Sequence, residues 1–209
     1  MTTLKYYGHS CFLLTADNGW KGVFDPYEDG SVDGLKLPEI TADAVFCSHG
    51  HSDHNAADKV IIQQPQTSCP YEITILKTDH DNAGGLLRGK NDIVILKSET
   101  ETIIHCGDLG RKLKEEEAQA MKNADLLMIP CGGFFTIDAK EAKAIIDQLQ
   151  PKLTVLMHYR RGACGYQVLA TLEKIAGTMK NLRILDTDTI DLIPETGSLV
   201  LTPSESLIG

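Results

Sequence analysis

The sequence contains no apolar run long enough to cross a membrane, and its first residues, Met1 to Lys5, lack the apolar segment of a signal peptide. A membrane-spanning helix needs about 20 apolar residues in a row. We therefore expect a cytoplasmic protein with no membrane partner.

The sequence also lacks any CxxC pair, although it contains six cysteines. Paired cysteines are typical of zinc ribbons and redox motifs, and disulfide frameworks are typical of small secreted domains. Several of these cysteines fall within apparent strands. We interpret them as reduced, small core residues: Cys11, Cys47, Cys69, Cys106, Cys131 and Cys164.

Basic residues are in the minority, because 20 lysines and arginines face 29 aspartates and glutamates, and the formal net charge is −9 at pH 7. Non-specific binding of nucleic acid depends on neutralising phosphates with Lys and Arg. The charge balance disfavours a nuclease with an extended basic groove, so we expect no nucleic-acid partner.

Repeats, low-complexity tracts and linkers are absent, and 209 residues suit a single domain, 1–209, with a sizeable core. The apolar pattern is β-rich at the start and alternates between strands and helices afterwards. It predicts strands at 4–7, 11–15, 22–25, 43–48, 73–76, 92–97, 101–106, 125–129, 153–157, 183–186, 190–193 and 198–202, and helices at 112–123, 138–150 and 168–176. This order favours an α/β (α+β) sandwich of two sheets with helices outside.

The most informative segment is His49-Gly50-His51-Ser52-Asp53-His54, which places four potential metal ligands within six residues. It follows the predicted strand at 43–48, so it is a loop that can fold around one point. Imidazole and carboxylate together suit zinc, and also iron or manganese. Three histidines interleaved with an aspartate are too specific for an ordinary polar loop, and we predict that this loop binds metal.

Three further candidate ligands lie just past predicted strands: His80, Asp108 and His158. A lone histidine at a strand end is usually a hydrogen-bonded structural residue. Open α/β folds, however, gather functional residues at the ends of strands. The repeated placement predicts that all three residues join the loop in one site.

With these motifs in this order, the sequence resembles the metallo-β-lactamase superfamily, in particular its branch of small lactonase-like and phosphodiesterase-like metal-dependent hydrolases. The HxHxDH loop is the most specific part of the resemblance. The other matching segments are Tyr6-Tyr7-Gly8-His9-Ser10, Asp25-Pro26, His80-Asp81 with Gly84-Gly85, His105-Cys106-Gly107-Asp108, Pro130-Cys131-Gly132-Gly133 and Met157-His158-Tyr159. The resemblance covers nearly the whole chain and implies a four-layer αββα sandwich with a metal site at one edge of the two sheets.

The resemblance also implies two divalent ions, with zinc expected and manganese or iron as alternatives. Carried over by position, the seven ligands are His49, His51 and His80 for the first ion, Asp53, His54 and His158 for the second, and Asp108 as the bridge between them. The stretch from His54 to His80 is short for this superfamily, so His80 is the first assignment to check.

The chemistry that the resemblance implies is hydrolysis by a hydroxide that bridges two ions. Asp53 is the candidate to hold or accept the proton of the water, and His9 is the candidate to protonate a leaving group or contact substrate, although it also fits a structural role. His105 has the same two interpretations. Asp25 either orients a metal-bound histidine or caps a turn. Cys131 is either an extra ligand or an inert thiol.

Three functions follow in order of preference. The first is a cytosolic dinuclear hydrolase acting on a small ester, lactone or phosphodiester. The second is a nucleic-acid-processing hydrolase of the same fold, which the acidic balance disfavours. The third is a non-hydrolytic metal-binding or redox protein. Diiron redox members of the superfamily typically carry Glu where His51 stands and have a flavin domain, which this chain is too short to include.

The expected partner is a small molecule, and an anionic one is an option because basic residues lie near the proposed ligands. Arg160 and Arg161 follow His158 directly, and a guanidinium binds a phosphate through two hydrogen bonds, but solvated loop charges are the preferred interpretation of these arginines. Arg111 precedes acidic residues on a predicted helix, so local ion pairs explain it more simply. Homo-oligomers are compatible with this sequence.

Overall fold

The structure is a computed structural model that describes residues 1–64, 67–193, 195–204 and 207–208. Its strands are β1 Thr3–Gly8, β2 Cys11–Thr15, β3 Lys21–Phe24, β4 Ile40–Ala42, β5 Ala44–Phe46, β6 Val60–Ile62, β7 Glu72–Asp79, β8 Lys90–Lys97, β9 Thr102–His105, β10 Leu126–Pro130, β11 Leu153–Met157, β12 Arg183–Ile184, β13 Thr189–Asp191 and β14 Gly197–Val200. Its helices are α1 Glu115–Met121, α2 Ala139–Leu149 and α3 Leu172–Thr178, with a 3₁₀ turn at Ala57–Lys59.

Two sheets pack face to face. The five-stranded sheet has the order β13-β1-β2-β3-β5, and the seven-stranded sheet has the order β12-β14-β11-β10-β9-β8-β7. Side chains of β8 alternate between the two faces of its sheet, as the period of a strand requires. Val94 and Leu96 pack against the five-stranded sheet, whereas Ile93 and Ile95 pack under the helices. The predicted α/β architecture of facing sheets is confirmed.

The two outer layers are built differently. All three α-helices cover the outer face of the seven-stranded sheet, where Ala142, Ile145 and Leu149 of α2 are buried. The outer face of the five-stranded sheet is packed by a long loop and by the small β4-β6 sheet, and the cluster of buried residues there includes no residue of α1, α2 or α3. None of the described helices combines the length and the apolar composition that a membrane crossing needs.

Helix boundaries follow local capping groups. The side chain of Asp138 accepts hydrogen bonds from the N–H groups of Lys140 and Glu141, so α2 begins where the sequence predicts. The predicted start of α3 at residue 168 is wrong, because Thr171 caps this helix and accepts a hydrogen bond from the N–H of Lys174. The helix also continues past Gly177, and the sequence did not predict β4 and β6.

The strand order brings the predicted ligands to one edge. Strands β9, β10 and β11 are parallel, and β7 runs in the same direction because it is antiparallel to β8, which is antiparallel to β9. The carboxyl ends of these strands therefore meet at the same edge of the seven-stranded sheet. His80 follows β7, Asp108 follows β9, and His158 follows β11. In the other sheet, β3 and β5 are parallel, so Asp25 and the histidine-rich loop leave the same edge.

Candidate metal centre

All the predicted ligands converge at this edge. Their side-chain nitrogen and oxygen atoms form overlapping groups in which the potential ligand atoms lie within 4.8 Å of one another. The groups are His49, His51 and His80; His49, His54 and Asp108; and His9, Asp53, His54 and His158. His80, the assignment in most need of a check, lies with His49 and His51 as expected.

The convergent atoms need a partner that the described side chains do not supply. Nε2 of His49, His54 and His158 and Oδ1 of Asp108 are buried without a hydrogen bond among the residues described. Leaving a buried polar group unpaired costs about 1–3 kcal/mol, so several such atoms aimed at one point indicate a bound ion. Imidazole nitrogens with carboxylate oxygens are the usual donors for zinc, so these residues fit a divalent metal.

Asp108 lies at the centre of the cluster. Its carboxylate oxygens are 3.2 Å from Nε2 of His54, 3.3 Å from Nε2 of His80 and 3.1 Å from Nε2 of His158. Burial opposes ionisation of this carboxyl, but His158 and His54 outweigh burial and hold its pKa well below its usual range. The ionised carboxylate of Asp108 thus lies close to histidines that follow different strands, which suits a bridging position between two ions.

The loop that carries Asp108 depends on close backbone packing. The N–H of Asp108 donates a hydrogen bond to Oδ1 of Asn91 over 2.7 Å. A Cβ atom at Gly107 would collide with Asn91 and Ser48, and one at Gly110 would collide with the backbone of His80. The two glycines thus let this loop lie directly against the other ligand-bearing segments.

Asp25 orients the histidine-rich loop. Its carboxylate accepts hydrogen bonds of 2.7 Å from the N–H of Ser48, from the hydroxyl of Ser48 and from Nδ1 of His54. The hydroxyl oxygen of Ser48 also lies 2.9 Å from Nδ1 of His49. These bonds direct Nε2 of both histidines towards the centre of the cluster. Of the two interpretations of Asp25, the structure shows the orienting one.

Three residues of the centre have strained backbones. His9, Asp25 and His158 have φ angles of 54°, 43° and 55°, in the left-handed region that side chains other than glycine rarely adopt. Such conformations cost about 1–3 kcal/mol each and persist where surrounding contacts fix them. The N–H of His158 donates a hydrogen bond of 2.9 Å to the carbonyl of His9, which joins two of these residues across the two sheets.

The two remaining histidines differ in role. Both ring nitrogens of His105 are used by the backbone: Nε2 lies 3.0 Å from the carbonyl of Ser10, and Nδ1 accepts from the N–H of Gly107. The ring also stacks on Phe24, so His105 is structural. His9 instead points into the cluster, with its Nε2 3.1 Å from Oδ2 of Asp53. Burial and the neighbouring His158 lower the pKa of His9 to about 4.

Beside the cluster is an open cleft of about 530 Å³. Its walls are formed by Gly50, His51, Ser52, Asp53, His80, Leu87, Arg88, Asp108, Phe135 and Tyr166. The sequence did not predict Arg88 or Tyr166 as site residues, since both lie on irregular loops without a motif. The ring of Tyr166 packs edge-on against His9, and burial together with the neighbouring Asp53 raises the pKa of its hydroxyl.

The arginines that lie near the proposed ligands in sequence are outside the cleft. Arg160 donates a hydrogen bond to Gln167, and Arg161 donates one to Thr202, and neither side chain lines the cleft. Of the two interpretations of Arg160 and Arg161, the structure favours the one in which they do not contact substrate. Arg111 forms the expected local ion pairs, with Asp79 and Glu117.

Cys131 is part of the core and not of the metal cluster. It is fully buried beneath the helices, and its thiol lies 3.5 Å from the carbonyl of Met157. Burial raises the pKa of this thiol, which disfavours the thiolate that metals bind. The structure therefore shows the inert interpretation.

Comparison with known proteins shows what the chain resembles. Residues 3–158 match the family model of the β-lactamase superfamily domain. A UPF0173 metal-dependent hydrolase of Carboxydothermus hydrogenoformans is 28% identical over 75% of this chain and 84% of its own length. A Thermotoga maritima protein described as a Zn-dependent hydrolase of the metallo-β-lactamase superfamily is 25% identical, with a TM-score of 0.73 over 96% of this chain and 98% of that one. The diiron β-hydroxylase CmlA of Streptomyces venezuelae, 13% identical with a TM-score of 0.51 over 75% of this chain and 44% of that one, shares the fold.

Proposed function

We infer that this chain, which belongs to the β-lactamase superfamily and is one of its metal-dependent hydrolases, binds two divalent ions and hydrolyses a small ester, lactone or phosphodiester. The observation that carries the proposal is the convergence of buried, unpaired imidazole and carboxylate atoms at one edge of the sheets. An open cleft gives a substrate access to the same atoms.

The arrangement of the side chains supports two positions for metal. His49, His51 and His80 form one group, and Asp53, His54 and His158 belong to the other. We assign Asp108 to both, because its carboxylate is close to histidines of each group. Zinc is the expected ion from this donor set, with manganese and iron as the alternatives.

Each residue then has a defined task. Bound ions would supply a water molecule of lowered pKa and polarise the carbonyl or phosphoryl oxygen of the substrate. Asp53 lines the cleft, and we assign it the acceptance of the proton from that water. His9, 3.1 Å from Asp53, holds this carboxylate in place, and we assign it the transfer of that same proton from Asp53 to the leaving group. Tyr166, on the cleft wall, can donate a hydrogen bond to the oxygen that gains negative charge.

Two other functions are less well supported. The acidic net charge of −9 and the single arginine on the cleft wall disfavour nucleic acid as a substrate. A redox protein would favour softer or more carboxylate-rich ligation, and the likeness to CmlA concerns the fold alone. All six cysteines are free thiols, which agrees with the reducing cytoplasm that we propose as the location.

Metal stoichiometry and a substrate screen test the proposal together. The protein is purified without chelator from cells supplied with zinc, manganese or iron, and its metal content is measured by elemental analysis. It is then tested against phosphodiester, lactone and thioester substrates. Two ions per chain with hydrolysis of one class are expected. At most one ion would reject the dinuclear centre, and a visible absorption band of bound iron without any hydrolysis would favour the redox alternative.

A further inference from the structure

A guanidinium group stands at the mouth of the metal cleft without an acidic partner. Arg88 lines the cleft, and no carboxylate in the described part of the chain forms an ion pair with it. We propose that Arg88 binds an anionic group of the substrate, a carboxylate or a phosphate, and so makes the enzyme selective for small anionic esters. The inference rests on the proposed hydrolase function, since it concerns the same cleft.

The other four arginines show that an arginine without a side-chain partner is unusual in the described part of this chain. The chain contains five arginines in an excess of acidic residues. Arg111 and Arg183 form ion pairs, and Arg160 and Arg161 donate hydrogen bonds to Gln167 and Thr202. Arg88 alone among them has no side-chain hydrogen-bond acceptor within the residues that the structure describes. Its N–H groups are therefore available to a ligand.

The loop that carries Arg88 is held rigidly. We call residues 80–89 the arginine loop. The carboxylate of Asp81 accepts four backbone hydrogen bonds, of 2.8 to 3.0 Å, and their donors are the N–H groups of Ala83, Gly85, Leu87 and Arg88. The loop closes where the N–H of His80 donates to the carbonyl of Gly89 over 3.1 Å. Arg88 is thus fixed relative to His80, and binding an anion orders little additional backbone.

Two aromatic rings place the guanidinium. Its central carbon lies 5.5 Å from the ring centroid of Phe135 and 5.9 Å from that of Phe134, distances at which a cation is attracted to an aromatic face. A guanidinium packed on rings through its face keeps its N–H edge free, and that edge matches the two oxygens of a carboxylate or phosphate.

The surroundings of Arg88 are apolar. Leu86, Leu87 and Phe134 are 86%, 70% and 62% exposed, although exposed side chains of this size are uncommon in clusters on a soluble surface. Leu87 lines the cleft, Leu86 precedes it in the arginine loop, and the ring of Phe134 packs beside Phe135 near Arg88. The substrate that fits is therefore an ester with an anionic group near the scissile bond and an apolar portion that covers these side chains.

Matched substrates test the inference on the zinc-loaded, full-length protein. The neutral ester is 4-nitrophenyl methyl succinate, and its anionic counterparts carry a free carboxylate or a phosphonate at the same end of the acyl chain. We expect Arg88→Gln to lower kcat/KM for at least one anionic ester by roughly 10-fold or more, mainly through KM, because hydrogen bonds to charged groups contribute about 1.5–3 kcal/mol. The neutral ester should change by less than about twofold. Which anionic ester loses more identifies the group that the site prefers.

Arg160→Gln is the matched control, since Arg160 lies outside the cleft. It should leave all three esters unaffected. Equal losses on neutral and anionic esters in Arg88→Gln, or no loss on any of them, would overturn the inference.

A second measurement does not depend on hydrolysis. In the ¹⁵N spectrum of the zinc-loaded protein, the Nε–H signal of Arg88 is identified by its disappearance in Arg88→Gln. It should shift saturably with monomethyl succinate or methylphosphonate and remain unchanged with dimethyl succinate. A saturable shift without turnover of any ester would support the anion site while counting against the hydrolase proposal. Turnover without the Nε–H shift and without selectivity for anionic esters would support the hydrolase proposal and count against the anion site.

Discussion

Two loops bring chemistry to the metal cleft, and each is organised around a buried aspartate. In the ligand loop, residues 48–54, Asp25 binds mostly side chains: the Ser48 hydroxyl and Nδ1 of His54, in addition to one N–H. In the arginine loop, Asp81 binds only backbone N–H groups. The first arrangement selects which nitrogen of a histidine faces the metal. The second fixes the shape of the loop and hence the position of Arg88.

The largest effect is expected at the residue that both loops contact. Asp108 lies beside His54 of the ligand loop and His80 of the arginine loop. Asp108→Ala should lower metal occupancy and abolish hydrolysis, because in the proposed dinuclear centre this carboxylate would offset the repulsion of two cations. Elemental analysis and a turnover assay measure both quantities. Asp92→Ala is the control, as Asp92 pairs with the exposed Lys77. Full occupancy in Asp108→Ala would reject the bridging role.

The next effect concerns the partner of Asp53 in the ligand loop. His9→Ala should reduce turnover by about 10²–10⁴-fold while metal content stays at the wild-type level, since general acid–base groups contribute that much. Because His9 also lies among the potential ligands Asp53, His54 and His158, the metal content of the variant decides whether His9 is a ligand. A loss of metal as severe as that of Asp108→Ala would make His9 a ligand instead.

Replacing Asp25, which accepts hydrogen bonds from the ligand loop, should weaken metal binding. Asp25→Ala frees Nδ1 of His54 and should lower metal affinity about 10–100-fold, the usual effect of losing such a hydrogen-bond partner. Competition with a chromogenic chelator measures the affinity. Asp43→Ala serves as the comparison, because Asp43 binds only a backbone N–H in an exposed turn. Similar affinities in the two variants would contradict the orienting role of Asp25.

The smallest effect is expected at Asp81, and it distinguishes the role of Asp81 from that of Asp25. Asp81→Ala releases the backbone of the arginine loop, so the preference for anionic over neutral esters should fall by about 10-fold, the contribution expected of one charged hydrogen bond. Metal affinity should fall less than in Asp25→Ala. If Asp81→Ala loses metal while keeping its preference for anions, the proposed difference between the two loops is wrong.

A contrast between strand ends and irregular loops explains which site residues the sequence could predict. Residues such as His80, Asp108 and His158 follow regular β-runs, and the ends of parallel strands meet at one edge, so periodicity was sufficient to bring them together. Arg88 and Tyr166 reach the cleft from irregular loops. Their placement depends on a network around Asp81 and on packing against rings, and neither leaves a periodic pattern.

The features that the sequence left open or misplaced have similar causes. The sequence leaves two interpretations of Arg160 and Arg161, because they follow His158 directly, and the left-handed backbone at His158 favours the one outside the cleft. The start of α3 was placed too early, since the apolar residues Val168 and Leu169 fit helical spacing while Thr171 supplies the cap. Long-range contacts and single dihedral angles decided these positions, and local propensity does not encode them.

The hydrogen bond from His158 to His9 has a mechanical consequence. His9 follows a strand of the five-stranded sheet and His158 follows one of the seven-stranded sheet, so ions coordinated near this bond would crosslink the two halves of the sandwich. A ligand that binds only the native state raises its stability in proportion to RT ln(1 + [L]/Kd). The midpoint of thermal unfolding should therefore rise with free metal concentration. Chelation should speed hydrogen exchange first at the amides of residues 9 and 158, before it affects the core beneath the helices.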